Sequence, residues 1–443
     1  MMRSARWWCA AAVLVLAACN KDKAVEKPAQ LVEFNTTLDV KRAWQQSVKG
    51  GDLPLRLGLG IAISNERVFA AGRKGEVAAF DLRTGRQIWA TRTKLRLSGG
   101  TGVSPDLVIV GSSQGDVAAL GATDGVQRWR VHVNGEVLSA PAIGTQIVVV
   151  RTVDGRLRGL ARDDGHELWS HDESVPRLSL RGTSVPVIAN DIVICGFDNG
   201  KVVGVSAGDG SVLWETPVAP PHGRTELERL VDIDSAVALT GDDVYSVGFQ
   251  GRIAMLARET GQVWWAHDAS SYRGLAVDAE TVFVSTADGD VVAMRRRTGA
   301  ELWRQAGLKH RALSAPVVIG STVAVADFQG YVHWLDKATG SFAARASSGG
   351  KRISTTPVVE GNMLVVIDDA GHIAAFRVGE NRGAPPADPA PEPSAPDSAA
   401  PPAPAPSAPD AAAPAIPAAP DAAPPADAAP PVPTPAPVPA PPN

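Results

Sequence analysis

Only three cysteines occur in 443 residues, and two of them, Cys9 and Cys19, fall close to the start. Cys195 is the one left for a folded body, so no internal disulfide can staple it. It sits in the strand-like run "DIVICGF" and is expected to be a buried packing residue. Long apolar runs are equally scarce: the stretch from Trp7 to Ala18 is too short to span a bilayer comfortably. Neither sign of charge is in excess. The chain carries −4; without Arg3 and Arg6 it carries −6, and residues 383–443 account for all of that. A neutral body excludes the basic footprint that nucleic-acid binding needs.

Both ends of the chain differ from its middle. Residues 383–443 hold 24 of the 35 prolines, six acidic residues and no basic one. Such a segment cannot bury enough surface to offset its ordering entropy, so 381–443 is expected to be a disordered Pro/Ala-rich tail. At the other end, Arg3 and Arg6 precede the short apolar run, which reads as an export signal over 1–18. It closes in "LAAC", which resembles the lipobox of bacterial lipoproteins. That resemblance implies acylation of Cys19, a lipidated tether over 19–40 and, with Asn20 next, sorting to the outer membrane.

Internal repetition dominates the rest. A glycine followed two residues on by an aliphatic residue or its close equivalent recurs at Gly75, Gly115, Gly155, Gly200, Gly251, Gly289, Gly330 and Gly371. Ten residues after each of the first seven stands a second glycine, from Gly85 to Gly340. Four residues further come Trp89, Trp129, Trp169, Trp214, Trp265 and Trp303, with Ala344 in the seventh copy. The runs between the glycines alternate and are rich in β-branched residues, so they read as antiparallel strands joined by tight turns. A unit of roughly 40 residues accommodates four short strands, the period of a β-propeller. Eight units predict an all-β, eight-bladed ring over 41–380. The last unit lacks its tryptophan, whereas "VKRAWQQSV" near the start carries Trp44 in matching context. The N-terminal strand is therefore expected to complete the eighth blade. The units resemble the pyrroloquinoline-quinone (PQQ) type of propeller repeat.

That resemblance raises a quinoprotein dehydrogenase as an alternative. Those enzymes stack the quinone on a disulfide of adjacent cysteines, which a body with Cys195 alone cannot form. The tryptophans recur in nearly every unit, which suits packing between blades rather than a cofactor site. "GSSQG", around Ser113, matches a nucleophile-elbow pattern, but a strand follows it where that motif needs a helix. His166 and His171 lack metal-ligand spacing. No catalysis, metal or cofactor is expected.

Two consecutive units are longer than the rest. Their second glycines are spaced 45 and 51 residues apart, against 38 to 41 elsewhere. The extra residues are "VPRLSLRGTSVP", 175–186, and "PPHGRTELERLVDIDS", 220–235. Insertions of this kind become loops on one face. In the second, Thr225 and Glu228 fit a capping box, predicting a short helical turn. In the first, Leu178 and Leu180 share one side of an extended segment beside Arg181. Two readings stand open: a protein-binding patch, or leucines in the core with an internally paired arginine.

The lipobox, the eight repeats, "LSLRG" and "TELERLVDID" together resemble the BamB family, propeller lipoproteins of the outer-membrane β-barrel assembly machinery. The likeness covers about residues 1–378; the Pro/Ala tail departs from it. It implies a non-catalytic, lipid-anchored scaffold on the periplasmic face of the outer membrane. Its implied partners are the periplasmic POTRA domains of BamA, the other subunits of the machinery and nascent β-barrel chains. Leu178, Leu180, Arg181, Asp232 and Asp234 occupy the family's partner-binding positions. A cell-wall-binding propeller is the other alternative. The tail's composition leads to one expectation: truncation after Arg382 leaves the thermal unfolding transition unchanged, and a large fall in midpoint would show that the tail is part of the fold.

Overall fold

The computed structural model describes residues 26–49, 59–180 and 182–381. Cys19, Arg181, the signal and all of the tail beyond Asn381 lie outside the described residues. Every regular element among the described residues is a strand, and the thirty-two strands form eight four-stranded antiparallel sheets. Blades 1 to 7 are built from consecutive strands over residues 62–92, 102–132, 142–172, 187–217, 238–269, 275–305 and 317–347. Blade 8 takes Val358–Glu360, Met363–Ile367 and His372–Asn381 from the C-terminal end and Leu38–Ser47 from the N-terminal end. Trp44 pairs across the strands with Ala375, so the expected closure by the N-terminal strand is present.

The two middle strands of each blade read as short aliphatic runs because both of their faces are covered by neighbouring blades. Ile147–Arg151, for example, is buried throughout. Cys195 is buried in the equivalent strand of blade 4, and burial pushes its thiol up to about 11. Outer strands instead keep the repeat tryptophan inside and leave most other positions toward water.

The tryptophans join blade to blade. Trp44, Trp89, Trp129, Trp169, Trp214, Trp265 and Trp303 each donate the indole N–H to a backbone carbonyl of the next blade, at 2.8–3.0 Å. Each indole lies on the second repeat glycine of that blade. Gly85 shows why only glycine serves: its φ is +70°, and a Cβ there would stand 2.6 Å from the Trp44 ring. A buried tryptophan removes roughly 150–250 Å² from water, worth about 4–6 kcal/mol at ~25 cal/mol per Å².

The joint between blades 7 and 8 is built differently. In the other blades the outer-strand tryptophan faces a smaller residue on the third strand, such as Ala79 opposite Trp89 or Gly159 opposite Trp169. In blade 7 the pair is exchanged: Trp334 stands on the third strand, opposite Ala344. Trp334 is fully buried and meets Phe376 of blade 8 edge to face, with centroids 5.6 Å apart. The exchange keeps the volume but not the bond, because the Trp334 indole nitrogen has no hydrogen-bond partner. Trp334→Ala should cost about 3–5 kcal/mol as a cavity. Adding Ala344→Trp should recover part of that loss in a double-mutant cycle; strictly additive losses by chemical denaturation would refute the exchange.

Candidate partner-binding face

The connections that lead from each outer strand into the next blade share one face with the hairpins at the first repeat glycines. Both inserts arise there, the first between blades 3 and 4 and the second between blades 4 and 5.

The second insert starts with the capping-box residues in the expected geometry. Glu228 Oε2 accepts the Thr225 N–H at 3.0 Å, and the Glu228 N–H donates to Thr225 Oγ1 at 3.2 Å. The segment nevertheless forms a turn and not a helix. Only one bond of α-helical spacing forms, Arg229 N–H to Thr225 O, before Leu230 turns inward to burial. Two residues further on, the chain is captured by blade 5 through the Phe249 N–H, which donates to Asp232 O at 2.7 Å. Tertiary pairing therefore ends the turn before a second one can form.

The two inserts meet. Asp232 is buried, and its Oδ2 accepts the Leu180 N–H at 3.0 Å, tying the second insert to the first. Ser184 Oγ adds a bond to Ser235 O at 2.7 Å. Asp234 turns its carboxylate inward against Gly182, where a Cβ would approach within 2.7 Å. Burial, then the neighbouring Asp234 and Asp198, push Asp232 up to about 9; burial, then Asp198, push Asp234 up to about 7. These carboxyl groups line the floor of the inserts. Leu178 is 43% exposed and Leu180 half-buried, while Leu227 at the tip of the second insert is 66% exposed. Of the five residues singled out by resemblance, four are thus brought together here, and Arg181 lies outside the described residues.

Beneath them lies a pair that the sequence reading passed over. Arg151 is fully buried, donates to Asp198 at 2.8 Å and lies over the Phe197 ring, 4.4 Å from its centroid. An arginine closing the aliphatic run "IVVVR" is the signal that marks it. A buried ion pair needs such close geometry to offset desolvation; here its Asp198 opposes, and its Arg151 favours, ionisation of Asp232 and Asp234.

A family model described as "Outer membrane protein assembly factor BamB" matches residues 6–96, 73–305 and 287–382. The outer membrane protein assembly factor BamB of Marinobacter adhaerens is 49% identical over 331 residues, covering 75% of this chain and 85% of that protein. The crystal structure of BamB from Moraxella catarrhalis superposes with a TM-score of 0.71 at 27% identity, covering 76% of this chain and 100% of that one. Quinohemoprotein alcohol dehydrogenase from Comamonas testosteroni shares the fold alone, with a TM-score of 0.61 at 12% identity over 76% of each chain. The chain belongs to the BamB family of outer membrane protein assembly factors.

Proposed function

We propose that this protein is a non-catalytic scaffold lipoprotein that holds the POTRA domains of BamA and assists the insertion of β-barrel proteins. In this reading acylated Cys19 anchors it to the periplasmic face of the outer membrane. The observation that carries the reading is the junction of two inserts on neighbouring blades. The Asp232–Leu180 bond ties the two inserts together, and each carries an exposed leucine, Leu178 on the first and Leu227 on the second. Apolar anchors with rigid support and charge near the rim suit a protein partner more than a small molecule. Leu178 and Leu180 supply the apolar contact, Asp232 and Asp234 hold the inserts in register, and Arg181 contributes positive charge to the partner.

Two variants separate the apolar contact from the exposed turn. Leu178→Ala with Leu180→Ala should weaken capture of the BamA periplasmic domains by about 2 kcal/mol or more, roughly thirtyfold, with an unchanged melting curve. Normal capture would place the interface elsewhere. Glu228→Ala, which loses only the exposed turn's bonds, should change capture little.

Asp232 tests the floor. Its carboxyl oxygen and an asparagine amide oxygen can both accept the Leu180 N–H, so Asp232→Asn should retain capture. Asp232→Ala leaves that donor unpaired, at a cost of about 1–3 kcal/mol, and should weaken capture by displacing Leu178. Equal loss in both variants would show that the negative charge itself, and not the bond, is needed.

A further inference from the structure

Before entering blade 8 the chain passes the connection between blades 6 and 7 and then runs along the outer strand of blade 7. The Ala29 N–H donates to Lys309 O at 2.9 Å, and the Thr37 N–H to Ala343 O at 3.0 Å. Between them Phe34 stacks on Phe342, centroids 5.3 Å apart, and Leu31 packs on the core between blades 6 and 7. Glu26 pairs with His310 at 2.7 Å.

Two arginines grip carbonyls of this segment: Arg311 Nη1 donates to Ala29 O at 2.9 Å, and Arg345 Nη1 to Val32 O at 3.0 Å. Their other nitrogens meet in a buried relay. Arg311 Nε donates to Asp327 Oδ2 at 2.8 Å, His333 Nε2 lies 3.0 Å from that oxygen, and Arg345 Nε lies 3.2 Å from His333 Nδ1. Arginine only donates, so Nδ1 accepts and Nε2 carries the proton toward Asp327. Asp327 and His333 are both fully buried. Cover alone would need only Leu31 and Phe34. A buried hydrogen-bonded network directed at two carbonyls sets one position for the segment.

We propose that residues 26–37 are a latched strap that fixes where the acylated end leaves the ring, so that blades 6 and 7 face the bilayer. This rests on Cys19 being the lipidated residue. The strap starts at Glu26 beside His310, whose N–H donates to Asp288 O in the blade 6 hairpin. The anchor therefore leaves on the face that carries the inserts. From Cys19 to Glu26 the chain spans at most about 25 Å. Eight strands across a diameter, ~4.8 Å apart, make the ring at least about 35 Å wide. With the strap latched, the opposite blades cannot point at the membrane while blades 6 and 7 turn away from it. Unlatched as far as Leu38, the leash would reach about 65 Å and permit every orientation.

The test uses the full lipidated chain on phospholipid vesicles containing an acceptor-labelled lipid. Donor dyes are placed through Asp288→Cys in blade 6 or Gln114→Cys in blade 2, both exposed on the same face and in opposite blades. Buried Cys195 does not compete for label. Transfer should be higher from position 288 than from 114, and Arg345→Gln should abolish the difference while unfolding stays cooperative. Equal transfer in the parent chain, or a difference that survives Arg345→Gln, overturns the proposal. If Arg345→Gln unfolds, Phe34→Ala replaces it, since Phe34 lies outside the blades. Failure to stay on vesicles, as expected for Cys19→Ala, refutes the anchor and with it the orientation. Slow hydrogen exchange at the Ala29 and Thr37 amides then still decides the latch, with fast exchange refuting it.

Discussion

The contact on which the ring depends is an indole laid on a glycine of the next blade, with its N–H bonded to that blade's backbone. The contact is heterologous: each blade offers an indole on one side and a glycine on the other. Such a series leaves an unpaired end unless it closes, and an open sheet edge is a site for unwanted pairing. Trp44 supplies the closing indole to blade 1 from the N-terminal strand, which pairs with the C-terminal strands of blade 8. The joint between blades 7 and 8 is the exception. There Trp334 fills the space without the bond, and the N-terminal segment crosses the outer edge of blade 7 on its way into blade 8.

These contacts lie toward the ends of the blades away from the inserts. The hairpins at the second repeat glycines carry the indole seats, whereas the opposite face carries the connections between blades. Residues added to those connections leave the indole seats untouched. This explains how two consecutive connections lengthen without a change of register, and why one fold serves both this family and quinoprotein enzymes.

Segments that lie outside the repeat are held by different forces. Regular blades rely on aliphatic burial and the tryptophan bond. The first insert is held by the buried carboxyl of Asp232, and the N-terminal segment by Arg311 and Arg345 over Asp327. Apolar contact is not directional and tolerates sliding, whereas a buried donor left without its acceptor is costly. Polar interactions therefore appear where a non-repeating segment must take one position.

Spacing along the chain by itself determined the blade count, the closing strand, the packing role of the tryptophans and the neighbouring placement of the two inserts. Each of these follows from local backbone geometry repeated at a fixed period: a glycine where φ is positive, a short apolar strand, an indole four residues on. The capping box at Thr225 and Glu228 was legible for the same reason, although blade 5 stops its turn short of a helix. Tertiary structure alone decided that Asp232 points inward while Leu178 remains exposed, since both lie in segments without a periodic pattern. It alone exchanged Trp334 with Ala344, which required a facing strand to be known. It alone joined Ala29 to Arg311 and Val32 to Arg345, residues separated by 282 and 313 positions. Such contacts form only once the ring has brought its two termini together, and no local spacing encodes them.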